Sequence, residues 1–265
     1  MKLLHMYADM IAIGDAAFSI CRAYAAMQAG GYDKIVIHTQ SAINIGGTLI
    51  PNSSASLELF RRTSFVAEVL EDADTLYWSS GGVRLEHPLI YRPYNNIKDW
   101  VNLDDLTPEV PSSGRVAVFQ PISLRMKPRE HLNDYIPVWT KCLETLFAKN
   151  YHVVMVAAPD DPIDLCVDPR LMSSLDNRIG KWSILQSLAF TLNRADVILS
   201  CDSWAGVWGI ASRKPTAIAW GYQMEHGLDG WVMDFLGNKD VFKHGWSSKK
   251  NECDAVLAEF LATQP

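Results

Sequence analysis

The sequence predicts an α/β protein made of two Rossmann-like lobes that face a cleft, and three observations predict it. Apolar runs of strand length alternate with helix-period segments, and that alternation occurs twice along the 265 residues. A stretch rich in Asp, Pro, Ser and Gly, from Asp104 to Gly114, separates the two runs. Ala195 to Gly221 then reads as strand, polar turn, small-residue helix and strand, the unit that open α/β sheets use to hold ligands at their carboxyl edge. The expected lobes are residues 1–110 and 111–265.

The elements follow in order. Lys2 to Tyr7 is a first strand, and Asp15 opens a helix that runs to Gly30-Gly31. Asp15 suits the N-cap, because a carboxylate accepts the orphan N–H groups of the first turn. Lys34 to His38 is a second strand. Residues 41–56 read as a Gly-, Ser- and Asn-rich loop, and Ser56 to Leu70 as a helix with Leu59, Phe60, Val66 and Leu70 on its apolar side. Thr75 to Trp78 is a short strand; the path from His87 to Trp100 stays unassigned.

After the linker, Arg115 to Gln120 is a strand. A helix follows with Ile136, Trp139, Leu143, Leu146 and Phe147 on one face, with Pro137 either in its first turn or at a kink. Tyr151 to Val156 is the next strand, Ser183 to Arg194 a helix, and Asn251 to Ala262 a final amphipathic helix.

Composition narrows the class. Apolar residues make up 48% and charged residues 20%, an ordinary globular balance with ample material for a core. The net charge of −6 gives no general affinity for nucleic acid or anionic membrane. Five scattered cysteines without a CxxC pair argue against a disulfide framework or a zinc knuckle and suit a reducing compartment. No apolar run reaches membrane-spanning length, and His5, Asp9 and Asp15 interrupt the N-terminal stretch, so it does not read as a signal peptide. A soluble, cytoplasmic protein is expected.

Several chemistries drop out. Gly14 stands alone after the first strand, so there is no GxGxxG dinucleotide fingerprint, and no GxxxxGK[ST] occurs. The seven histidines show no HExxH or other metal spacing. Around Ser203 the flanking residues are Cys201 and Ala205, so both glycines of a hydrolase elbow are missing.

Short motifs then point to one family. Ile13-Gly14-Asp15 lies near the start, Gly180-Lys181-Trp182-Ser183 precedes Ala195-Asp196, Asp202-Ser203 follows the strand, and Lys214-Pro215 leads to a strand and Gly221. In these elements the chain resembles the GT-B glycosyltransferases, specifically the heptosyltransferase-like glycosyltransferase family 9. Trp204 stands where that family has the glycine of its DSG element, and Val207 where it usually has histidine.

The resemblance implies sugar transfer from a nucleoside-diphosphate sugar to an acceptor hydroxyl, with Asp15 as catalytic base and Arg125 and Lys127 near the donor phosphates. The physics agrees. A helix N-terminus at Ser203–Trp204, beside Asp202, offers N–H donors to a diphosphate. Arg125 and Lys127 offer positive charge to the leaving group without a metal, and Asp15 can take the acceptor's proton. Transfer would then be one inverting displacement that needs neither cofactor nor metal.

Each residue also has a plainer reading. Asp15, Asp202 and Ser203 also read as helix caps, and Arg125 and Lys127 as solvated loop charges. Asp160 and Asp161 stand where a carboxylate reaches a ribose hydroxyl, though a solvated loop is the simpler reading; Glu225 and His226 are weaker candidates for such a contact. Tyr91, Tyr94 and Trp100 read first as core and second as stacking partners for a sugar or base.

The acceptor is either a glycan or a hydroxylated base in viral DNA. Residues 1–110 hold eight Lys and Arg against thirteen Asp and Glu, a balance of −5 that disfavours duplex DNA. Arg84, Arg92 and Lys98 are the local basic patch that could offset it. Two alternatives stay open: a non-catalytic nucleotide- or sugar-binding module, and a serine hydrolase using Ser203.

Overall fold

A computed structural model describes residues 1–8, 13–39, 42–45, 48–51, 54–71, 96–110, 114–123, 135–161, 163–201, 203–219, 246–247 and 259–265. They fall into two compact units, Met1–Leu103 and a second that begins at Asp104. Among the described residues no helix is long and apolar enough to cross a membrane.

In the first unit β1 (Leu3–Tyr7) leads to α1 (Ile13–Gly30), which returns to β2 (Lys34–His38). α1 ends as its glycines dictate. Gly31 takes φ 59°, and the N–H groups of Gly31 and Tyr32 donate to the carbonyls of Gln28 and Met27. This closes the last turn with the left-handed residue that glycine adopts without strain. α1 begins at Ile13, so Asp15 is its third residue, not its N-cap. Helix formation starts two residues earlier than the acidic residue suggested.

Two further expectations fail here. Residues 41–56 are not a plain loop: β3 (Ala42–Ile45) and β4 (Thr48–Pro51) pair antiparallel, with Ile45 opposite Thr48. A Gly-Gly pair between short apolar runs is a hairpin signal that outranks loop-like composition. The expected helix Ser56–Leu70 is split as well. α2 (Ser54–Arg61) stops, and β5 (Val66–Leu70) pairs parallel with β2. The hydroxyl of Thr63 donates to the Leu59 carbonyl, Thr63 bridges to Val101, and the Ile35 N–H donates to the Phe65 carbonyl. Pairing along β2 therefore overrides the helical spacing of Val66 and Leu70. The sheet order is β1-β2-β5, all parallel. Trp100 stacks on Tyr24, with ring centroids 4.0 Å apart, and meets Phe65 edge-on, so it is a packing residue. Lys98 is exposed.

The second unit holds β6 (Val116–Gln120), α3 (Ile136–Ala148), β7 (His152–Met155), β8 (Asp176–Asn177), α4 (Ile184–Arg194), β9 (Val197–Cys201), α5 (Trp204–Ala211), β10 (Thr216–Ala219) and β11 (Trp246–Ser247). Its sheet has the order β11-β10-β9-β6-β7-β8, and every pairing is parallel. Strand alternation sends Ala117, Phe119, Val197, Leu199 and Ala217 into the core that α3 fills with Trp139, Leu143 and Leu146. Val116, Val118 and Ile198 face the other side, among Phe190 of α4 and Ala205 of α5.

Pro137 lies in the first turn of α3, so it opens that helix. α4 carries a complete capping box: Ser183 Oγ accepts from the Gln186 N–H, and Gln186 Oε1 accepts from the Ser183 N–H. Asn193 Nδ2 donates to Asp104 Oδ1 at 3.0 Å and to Thr107 Oγ1 at 2.7 Å, so the start of the linker is tied to α4. Phe260 and Leu261 sit in the core beside α3, and Lys149 Nζ donates to the Leu261 carbonyl at 2.9 Å. The last helical turn thus belongs to the second unit. The expected strand at 75–78 lies outside the described residues.

Candidate functional site

Among the described residues, the second sheet has one topological switch point. From β6 the chain proceeds to β7 and β8 on one side, and then crosses to β9 and β10 on the other. The crevice at the carboxyl ends of β6 and β9 is where such sheets take ligands. Gln120 ends β6 there, and Cys201 and Ser203 end β9 and open α5.

Gln120 organises this edge, although the sequence reading treated it only as the last strand residue. It is 1% exposed. Its Oε1 accepts from the Ala205 N–H at 3.1 Å, and its Nε2 donates to Ser203 Oγ at 2.9 Å. The fixed backbone donor determines which end of the amide points where. Ser203 is the N-cap by position but makes no side-chain cap bond; the Gln120 carbonyl, reaching across from β6, takes the helix donor. The signal that could have revealed it is an amide placed at the end of an otherwise apolar strand, which must find buried partners.

α5 sits unusually close to the sheet. A Cβ on Gly206 would fall 2.5 Å from Ile218 Cδ1, and one on Gly209 would fall 2.5 Å from Thr216 Oγ1. The two glycines, three residues apart, let the helix settle on β9 and β10 and hold its N-terminus at the switch point. β9 extends through Ser200 and Cys201, both fully buried. Trp204, half-buried, packs with Trp182 against the cluster of Val116, Val118, Phe190 and Ile198. Its indole is anchored in the helix–sheet layer.

After β7 the chain turns at Asp160, which is exposed, and Asp161, which is not. Asp161 is 7% exposed, and its Oδ2 accepts from the Ala158 N–H at 2.8 Å. Burial pushes its carboxyl above the usual range; the Ala158 N–H opposes this, and the charge of Asp160 adds to it. Its Oδ1 is buried with no hydrogen-bond partner among the described residues. A solvated loop therefore fits Asp160 and fails for Asp161.

Cys166 is buried, and burial, with the carboxylates of Asp161 and Asp164, pushes its thiol up to about 12, which makes it inert as a nucleophile. Cys21, Cys142 and Cys201 are also buried and form no disulfide among the described residues. Among the described residues no group of three or more His, Cys, Asp or Glu could hold a metal ion. A cavity of about 490 Å³ lined by Thr107, Glu109, Val110 and Arg194 lies at the C-terminal end of α4, at the amino edge of the sheet and away from the switch point.

The structure thus joins Ser203 and Gln120 and places Trp204 beside them. Asp15 stands in the first turn of the helix after β1; its side chain, like Arg125, Lys127, Asp202, Glu225, His226, Tyr91, Tyr94, Arg84 and Arg92, lies outside the described residues.

The sequence matches no protein-family model and no curated protein. Solved structures do match. The chain aligns over 99% of its length with 98% of a glycosyl transferase family 9 protein from Veillonella parvula, at 10% identity and a TM-score of 0.50. It aligns over 99% of its length with 76% of the dodecameric iron-containing heptosyltransferase TibC, at 10% identity and a TM-score of 0.55. It also aligns over 91% of its length with 100% of the E. coli ADP-heptose LPS heptosyltransferase II, at 11% identity and a TM-score of 0.51. The chain has the α/β fold of the GT-B, heptosyltransferase-like glycosyltransferases.

Proposed function

We propose that the protein is a nucleotide-sugar-dependent glycosyltransferase. The observation that carries this reading is the switch point of the second sheet, where Gln120, Ser203 and the start of α5 converge. In this reading the second unit binds the donor, and its diphosphate lies against the N-terminus of α5 with Asp202, Ser203 and the backbone at Trp204 around it. Arg125 and Lys127 neutralise the leaving group, and Asp160 or Glu225 reaches the ribose.

Asp15, from the first unit, removes the proton of the acceptor hydroxyl as its oxygen attacks the anomeric carbon. The bond from that carbon to the diphosphate breaks, and the nucleoside diphosphate leaves with the electron pair. One displacement inverts the anomeric centre without a metal or other cofactor. A glycan hydroxyl is the acceptor that the acidic balance of residues 1–110 favours over a hydroxylated DNA base.

The Ala205 N–H, one of the first-turn donors of α5, is taken by Gln120, so a phosphate at this helix end must use other donors. For the hydrolase reading, the partner of Ser203 Oγ among the described residues is an amide N–H, which cannot accept a proton.

A thermal-shift screen against ADP, UDP, GDP and CMP and their sugars tests the proposal. ADP-linked donors come first, because the TibC structure holds ADP-D-beta-D-heptose. The expected result is a rise in melting temperature with one nucleotide family, by mass action. No rise with any of them contradicts donor binding.

A further inference from the structure

β1 and β2 run parallel, and their register puts His5, Tyr7, Val36 and His38 on one face, with His5 opposite Val36 and Tyr7 opposite His38. The two histidines are therefore diagonal neighbours. His5 Nδ1 and His38 Nε2 approach to 2.9 Å. The His38 ring lies between its neighbours, with centroids 5.2 Å from His5 and 5.1 Å from Tyr7. His5 is exposed and His38 half-buried.

Two imidazole nitrogens at this distance share one proton: one donates it and the other accepts it. When the donor ring takes its other tautomer, both facing nitrogens present lone pairs. With metal–nitrogen bonds of about 2.05 Å, two nitrogens at a right angle stand about 2.9 Å apart, and two at the tetrahedral angle about 3.3 Å. The observed 2.9 Å is that of the hydrogen bond itself, and a turn of the exposed His5 ring opens it to either pair; among divalent ions nitrogen ligands bind Cu²⁺ most tightly, with Ni²⁺ below it. Tetragonal and square-planar coordination by nitrogen is the preference of Cu²⁺ and Ni²⁺, whereas Zn²⁺ favours the wider tetrahedral pair.

We propose that His5 and His38 form a two-imidazole chelate for a Cu²⁺- or Ni²⁺-type ion. The exposed His5 ring turns to bring its lone pair onto the ion, the donor ring gives up the shared hydrogen to solvent and takes one up on its other nitrogen so that both imidazoles stay neutral, and water fills the remaining positions. The ion would tie β1 to β2 across the ladder. This site is separate from the switch point of the second sheet, and its standing does not depend on the sugar-transfer reading.

The test is equilibrium dialysis of the full chain against CuCl₂ and, separately, NiCl₂ at micromolar concentration, with melting temperatures measured in parallel. The wild type is compared with His5→Gln, His38→Gln and the double variant. Chelation predicts that each single variant loses one equivalent of bound metal, or binds it at least tenfold more weakly, and that the double variant is no worse than either. The metal-dependent rise in melting temperature should vanish in all three. Because His5 is exposed, His5→Gln should melt like the wild type without metal, which separates loss of the site from loss of the fold. Unchanged stoichiometry and affinity in His5→Gln overturns the proposal, and so does wild-type binding retained by His38→Gln.

Discussion

The two units differ in how completely their packing defines a site. In the second unit, the strand order of a six-stranded parallel sheet reverses once, and a buried amide, a serine and a helix N-terminus meet where it does. In the first unit, a three-stranded parallel sheet carries α1 after β1, and the candidate base stands in that helix's first turn. The difference teaches that the donor side of the proposed reaction is built by sheet topology and buried hydrogen bonds. The acceptor side rests on one local position, Asp15.

If the second unit is the pre-organised half, damage to its core should have the largest effect. Trp139 is fully buried, meets Phe119 edge-on, and donates its indole N–H to the Pro121 carbonyl at 3.2 Å, just beyond Gln120. Trp139→Ala should cost about 3–5 kcal/mol in urea unfolding and weaken nucleotide binding with it. Retained stability would mean that this core does not hold the switch point.

A smaller effect is expected where α5 meets the sheet. Gly206→Ala puts a methyl 2.5 Å from Ile218 Cδ1 and 3.3 Å from Ser200 Cβ. Either the Ile218 side chain or the helix must shift, at a cost of about 1–3 kcal/mol. Nucleotide affinity should fall more than it does for the same change at Gly114, where only the Asn150 carbonyl comes within reach, at 3.7 Å. Equal affinities would separate α5 from donor binding.

The smallest effect concerns charge. Burial holds the folded-state pKa of Asp161 above its unfolded value, so the folded state binds the extra proton. Its contribution is therefore most favourable at low pH and declines as pH rises from the unfolded value, about 4, through the folded one. Asp161→Asn should be more stable than wild type at neutral pH, with the gap closing below about pH 4. A gap of the opposite sign, measured by denaturant titration at both pH values, would mean that the buried oxygen is satisfied and charged.

Much of this was legible in the sequence. Repeated strand–helix alternation placed β1, α1, β2, β6, α3, β7, α4, β9, α5 and β10, because each buried element carries a continuous apolar run or face. What escaped was decided by pairing. β5 looks helical until β2 offers it an edge, and β8 and β11 have two residues each, too few to carry a pattern. At the site, Ser203 was read from its position after a strand. Gln120 was not, because its partners lie 83 and 85 residues away and exist only once β6 and β9 are neighbours. Asp161 looked solvated beside Asp160 and proved buried, since a turn can send adjacent residues to opposite environments.

The division of labour between the units is tested most directly by Asp15→Asn. Nucleotide affinity, from calorimetric titration, and release of nucleoside diphosphate from the sugar donor should be measured on the same preparation. The account predicts that affinity stays within about twofold of wild type while turnover falls by about 10²–10⁴-fold, the range of a lost general base. Undiminished turnover, or affinity lost in step with turnover, would contradict it.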